Sequence, residues 1–134
     1  MKVLLDTHIW IWSLTSDRKL GRRVARELAS LKNEIWISPV SVWEALLLAE
    51  RGRLRFREDP SRLLERALAE GGYREAPLTH EVAFESRRLS LSTEDPADRF
   101  LAATAKVYDL TLVTADERLL RLREIKEIRV LPNR

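Results

Sequence analysis

Short apolar runs that break off at an acid, a hydroxyl or a proline constrain this chain more than any other feature. Val3-Leu4-Leu5 stops at Asp6, Ile35-Trp36-Ile37 at Ser38-Pro39, and Leu110-Thr111-Leu112-Val113 at Thr114. Ile128-Arg129-Val130-Leu131 before Pro132 has the same form, and Ala76-Pro77-Leu78 is a weaker fifth. Runs so short and continuous belong to strands covered on both faces, as in a parallel sheet. Helical periods fill the intervals. Val24, Ala25, Leu28 and Leu31 share one face, as do Leu63, Leu64, Ala67 and Leu68. Val42 to Ala49 is apolar nearly all round and reads as a buried helix, with Gly52 at its C-terminal cap. Thr79 and Asp95-Pro96 mark two helix starts. The alternation predicts a three-layer α/β/α fold around a central, mostly parallel sheet of about five strands, in one domain over residues 1–134.

Composition removes several classes of function. There is no cysteine, which excludes disulfide scaffolds, thiolate metal sites and thiol nucleophiles. His8 and His80 stand alone and make no zinc site. The longest nearly apolar run, Ile35 to Ala49, is broken by Pro39, Ser41 and Glu44 and is too short to span a membrane. The N-terminus meets Asp6 almost at once, so no signal peptide is expected and the protein reads as cytoplasmic. Of 24 basic residues, 19 are arginine, whose planar fork suits phosphate and hence nucleic acid. The same bias, with no glutamine and two asparagines, equally suits a heat-adapted surface. Trp36 and Trp43 fall in apolar runs and read as core. Trp10 and Trp12 lie on a short helix beside Asp6, one expected in the core and the other at an interface.

Four acids sit at element junctions. In an open parallel sheet, ligands bind beyond the carboxyl ends of the strands. Asp6 ends the first strand, Asp116 follows the Leu110–Val113 strand, and Glu44 and Asp98 lie in early helical turns. Packed together they repel and raise one another's pKa unless a cation compensates. Oxygen-only ligands suit Mg²⁺ or Mn²⁺. Each acid alone also has an ordinary structural reading. Asp6 can cap the next helix, while Ser41-Val-Trp-Glu44 and Thr114-Ala-Asp-Glu117 both match a capping box. Asp98 and Asp116 suit the positive end of a helix dipole. Asp95, before Pro96, is expected to spend its oxygens on backbone N–H groups, leaving Asp98 as the site residue. Arg99 has three open roles: orienting a carboxylate, meeting phosphate, or pairing with a surface acid.

The ordered set resembles a PIN-domain ribonuclease of the VapC toxin type, nearly end to end. Leu4-Leu5-Asp6-Thr7-His8, with the apolar stretch to Trp12, resembles the opening motif of that family, and Ser41-Val-Trp-Glu44 the second. Asp95-Pro-Ala-Asp98-Arg99 followed by Leu101-Ala-Ala-Thr-Ala105 resembles the third, and Leu112-Val-Thr-Ala-Asp116 the fourth. The resemblance implies that Asp6, Glu44, Asp98 and Asp116 bind Mg²⁺ or Mn²⁺ and carry catalysis, with Thr7, Arg99 and Thr114 around them. It implies single-stranded RNA as substrate, a cognate antitoxin as partner, and a homodimer. One departure is visible: Thr93 stands where many relatives carry a histidine.

Other classes fit less well. A phosphoacceptor domain needs an acceptor Asp ending the third strand, where Leu78-Thr79 stands, and a lysine after the fifth, where Pro132 stands. A hydrolase with a nucleophilic Asp at the first strand usually shows Asp-x-Asp, whereas Asp6-Thr7-His8 is present. A catalytically silent PIN-like module that binds RNA or protein remains the alternative.

Overall fold

The computed structural model describes residues 1–124 and 126–134. Its five strands are β1 (Lys2–Leu5), β2 (Glu34–Ile37), β3 (Arg74–Glu75), β4 (Thr111–Thr114) and β5 (Arg129–Pro132). They form one sheet in the order β3-β2-β1-β4-β5, and every pairing is parallel. The intervening helices are α1 (Thr7–Thr15), α2 (Arg22–Ala29), α3 (Pro39–Glu50), α4 (Pro60–Glu70), α5 (His80–Arg88), α6 (Pro96–Val107) and α7 (Glu117–Glu124).

Strand periodicity divides the core into two layers, because successive side chains point to opposite faces. Val3, Leu5, Ile37, Val113 and Leu131 pack with Ile9, Trp10, Val24 and Leu64 on one side. Leu4, Leu112 and Val130 pack with Val82, Leu101, Ala102 and Leu119 on the other. The expected three-layer architecture is therefore present, with a sheet that is wholly rather than mostly parallel. β1 lies centrally, and the chain order reverses between β1 and β4. That reversal leaves a crevice at their carboxyl ends, where such sheets bind ligands.

Local signals set most boundaries. Thr79 caps α5 through Val82 N–H, and Asp95 caps α6 through the N–H groups of Ala97 and Asp98. Gly52 follows α3 with φ of +69°, a left-handed conformation that a side chain would oppose.

Several expectations are corrected. The third strand is Arg74–Glu75 rather than Ala76–Leu78, since Ala76 ends the pairing with its N–H on the Ile37 carbonyl and Pro77 has no N–H to offer. Leu31 is fully exposed because α2 ends at Ala29, which rotates Leu31 off the Val24 face. Trp43 is 52% exposed and Leu68 39%. On α3 only Val40, Ser41 and Ala45 are buried, so the helix covers the sheet with one side and shows the rest. Trp36 is half-buried, stacked on Tyr108 at 5.9 Å between ring centroids. Trp10 is fully buried, as expected of one of the pair, and Trp12 is half-buried against the same core layer.

Candidate active site

Asp6 leaves β1 directly into α1, and its N–H extends the β1–β4 pairing to the Val113 carbonyl at 2.9 Å. Its Oδ1 accepts the Thr7 N–H at 2.8 Å, and its Oδ2 accepts the Thr114 hydroxyl at 2.6 Å. The capping reading of Asp6 is thus correct, yet the same carboxylate reaches across the crevice to β4. Burial pushes its pKa up, against the lowering effect of those two donors. Thr114 is fully buried and also accepts the Asp116 N–H at 3.0 Å, so one hydroxyl positions two acids.

Glu44 is not the acid of a capping box. The cap of α3 is Ser38, which accepts the Val40 N–H, and Ser41 lies inside the helix. Ser41 is buried and accepts the Thr7 hydroxyl at 3.1 Å, tying α3 to α1. Glu44, one turn further on, is half-buried. Burial raises its pKa; the Thr7 hydroxyl opposes this, and the charges of Asp6 and Asp95 add to the rise. Among the described residues no backbone N–H donates to Glu44, which removes the capping explanation for this acid in an apolar helix.

Asp98 sits in the first turn of α6 at 7% exposure, and its buried Oδ2 accepts no hydrogen bond. Burial, then the like charges of Asp95, Asp116 and Asp6, push its pKa up to about 7, with Arg118 pulling against them. Asp95 holds the N-terminus of α6 as expected, its Oδ1 2.9 Å from Ala97 N and 3.3 Å from Asp98 N. Asp116 precedes α7, and its Oδ1 accepts the Arg118 N–H at 2.8 Å. It, and not Thr114, therefore caps that helix. Hydrogen bonds from Arg118 hold the Asp116 pKa below the ordinary carboxylate range.

Arg99 departs from all three of its expected roles. It is 5% exposed, and among the described residues it pairs with no carboxylate. Its Nε donates to the Ser86 carbonyl at 2.8 Å, Nη1 to Leu91 and Thr93 at 2.9 Å each, and Nη2 to Leu89 at 3.2 Å. Carbonyls at the C-terminal end of α5 carry partial negative charge, which explains how a buried guanidinium is stabilised without an acid. The side chain clamps the loop between α5 and α6, and so fixes where Asp95 and Asp98 begin.

Sequence reasoning missed Arg118. Its Nη2 lies 2.9 Å from Asp116 Oδ2 and 3.2 Å from Asp98 Oδ2. Nε donates to Asp116 Oδ1 at 3.2 Å, and Nη1 to the Thr93 hydroxyl at 3.2 Å. Thr93, at the position of the departure noted above, also accepts the Asp95 N–H at 3.0 Å. One signal was available: a cation in the first turn of a helix opposes the dipole and needs another reason to be there.

Among the described residues, no three acids or histidines converge closely enough to hold a metal ion in this geometry. The donor set nevertheless fits a hard divalent cation. It is all oxygen, three of its members are pushed up by burial and by one another, and a buried Asp98 oxygen lacks a donor. No described helix is long and apolar enough to cross a membrane.

Residues 3–125 match the model of the PIN domain family. The chain is 32% identical over 118 residues to Ribonuclease VapC22 of Mycobacterium tuberculosis, covering 87% of this chain and 88% of that protein. In structure it is similar to VapBC2 of Rickettsia felis bound to a promoter DNA fragment, with a TM-score of 0.74 and 17% identity over the whole of both chains. It is also similar to FitAcB of Neisseria gonorrhoeae, with a TM-score of 0.64 and 23% identity over 96% of each chain. At these identities the two structures speak to the fold alone. Family match, sequence relative and site together show that the chain belongs to the PIN-domain family, among the ribonucleases of VapC type.

Proposed function

We propose that this protein is a metal-dependent endoribonuclease that hydrolyses phosphodiester bonds in single-stranded RNA, as the toxin of a cytoplasmic toxin–antitoxin pair. Asp6, Glu44, Asp98 and Asp116 are the residues that would hold Mg²⁺ or Mn²⁺. The observation that carries this reading is the buried Asp98 oxygen without a donor, at the crevice between β1 and β4, beside Asp6 and Asp116. When bound, such an ion activates water and stabilises charge on phosphate oxygens. The chain's own groups supply the placement. The Thr114 hydroxyl orients Asp6 and the Asp116 backbone, Asp95 holds the start of α6, and Arg99 fixes the preceding loop.

The relatives crystallised as VapBC and FitAcB support a cognate antitoxin as partner, and the family resemblance supports a homodimer. The α1–α2 side offers a place for an apolar antitoxin segment, with Trp12 half-buried and Leu31 exposed.

The test is cleavage of a labelled single-stranded RNA by the purified full-length protein. Cleavage should stop in excess chelator and return with Mg²⁺ or Mn²⁺, and Asp98→Asn should be inactive throughout. Binding of RNA without cleavage under any metal would favour the silent module instead.

A further inference from the structure

One nitrogen of Arg118 bridges two of the four acids. Nη2 stands 2.9 Å from Asp116 Oδ2 and 3.2 Å from Asp98 Oδ2, a position between carboxylates that a bridging cation would take. The contact to Asp98 is an ion pair without hydrogen-bond geometry, so the buried oxygen is neutralised in part but not satisfied. The other guanidinium nitrogens are anchored on Asp116 Oδ1 and the Thr93 hydroxyl. The side chain is 50% exposed, so nothing encloses it and solvent can receive it. A guanidinium already seated against both oxygens repels a divalent cation drawn to the same two carboxylates.

We propose that Arg118 is this chain's own counter-cation for the site: it occupies the Asp98–Asp116 bridge and must be displaced before a divalent ion can take those oxygens. Metal affinity is then an exchange equilibrium set by this arginine as well as by the four acids. Arg118 also holds the two acids together in the metal-free protein and prevents their repulsion from splaying the β4–α7 junction. The inference rests on the reading of Asp98 and Asp116 as metal ligands.

The experiment is a Mn²⁺ titration of chelator-stripped, full-length protein by calorimetry, paired with thermal unfolding with and without Mn²⁺. Wild type, Arg118→Ala, Arg118→Gln and Asp98→Asn are compared, the glutamine variant serving if alanine fails to fold. Removing the competitor should tighten Mn²⁺ binding roughly three- to tenfold, the range for losing one or two half-exposed ion pairs. Without metal the variants should melt below wild type, and at saturating Mn²⁺ the difference should shrink. A role confined to positioning the acids predicts the opposite sign, weaker binding. Unchanged or weakened affinity in both neutral variants, with binding still lost in Asp98→Asn, overturns the inference and leaves the metal site standing. No Mn²⁺ binding by wild type or either Arg118 variant overturns both.

Discussion

Replacing Arg99 by lysine should lower the melting temperature by about 7–14 °C, although the charge is kept. The arginine fork satisfies four buried carbonyls, those of Ser86, Leu89, Leu91 and Thr93. A lysine ammonium has three donors on a single nitrogen and reaches at most three of them. At least one carbonyl, and by geometry one or two, then loses its donor at about 2 kcal/mol each, for a total of about 2–4 kcal/mol. Unfolding entropy of about 2.1 cal/mol/K per residue makes each kcal/mol worth about 3.5 °C in a chain of 134 residues. The assay is circular dichroism melting or scanning calorimetry of both proteins. A surface arginine changed to lysine should move stability by no more than about 0.5 kcal/mol. A shift below about 2 °C would therefore refute the clamp. A phosphate-contacting role predicts instead an intact melting point and weaker RNA binding with an unchanged salt dependence, because the lysine keeps the charge but loses the fork.

Metal-free protein should lose stability as pH rises from about 4 to about 7 and level off above, because the unfolded chain ionises Asp98 near 3.8 while the fold holds it protonated to about 7. Urea unfolding across that range should show the slope, and Asp98→Asn should remove much of it; an unchanged slope in the variant contradicts the assignment. Asp6 and Glu44, raised in the same direction, account for what remains. Glu44→Gln should abolish most cleavage and shrink the Mn²⁺-induced rise in melting temperature, without loss of metal-free stability, since Ser38 caps α3. Equal metal-induced shifts with intact cleavage sink the role of Glu44. With antitoxin bound, hydrogen exchange should slow along α1 and α2, and protection found wholly elsewhere rejects that docking side.

The sheet was legible before any coordinates because its information is local. Val3-Leu4-Leu5, Ile35-Trp36-Ile37 and Leu110–Val113 are short continuous runs, and only burial on both faces explains them. Once strands and crossovers are placed, the carboxyl ends of β1 and β4 must meet, so Asp6 and Asp116 were found as neighbours. The cap at Asp95 was readable for the same reason, being written in adjacent residues. Other features depended on how far an element runs. Trp43 and Leu31 were misplaced because apolarity in a window does not say which side of a helix faces the sheet, or where the helix stops.

The two arginines could only be settled by tertiary structure. Arg99 is held by four carbonyls, and every residue has a carbonyl, so its partners leave no mark in the sequence. Arg118 is held by acids on α6 and before α7, and by a threonine hydroxyl in the loop between α5 and α6. Nineteen arginines look alike as letters. What separates a clamp, a counter-cation and a solvated surface charge is which acceptors lie within about 3 Å once distant segments pack, and that distance is a property of the fold.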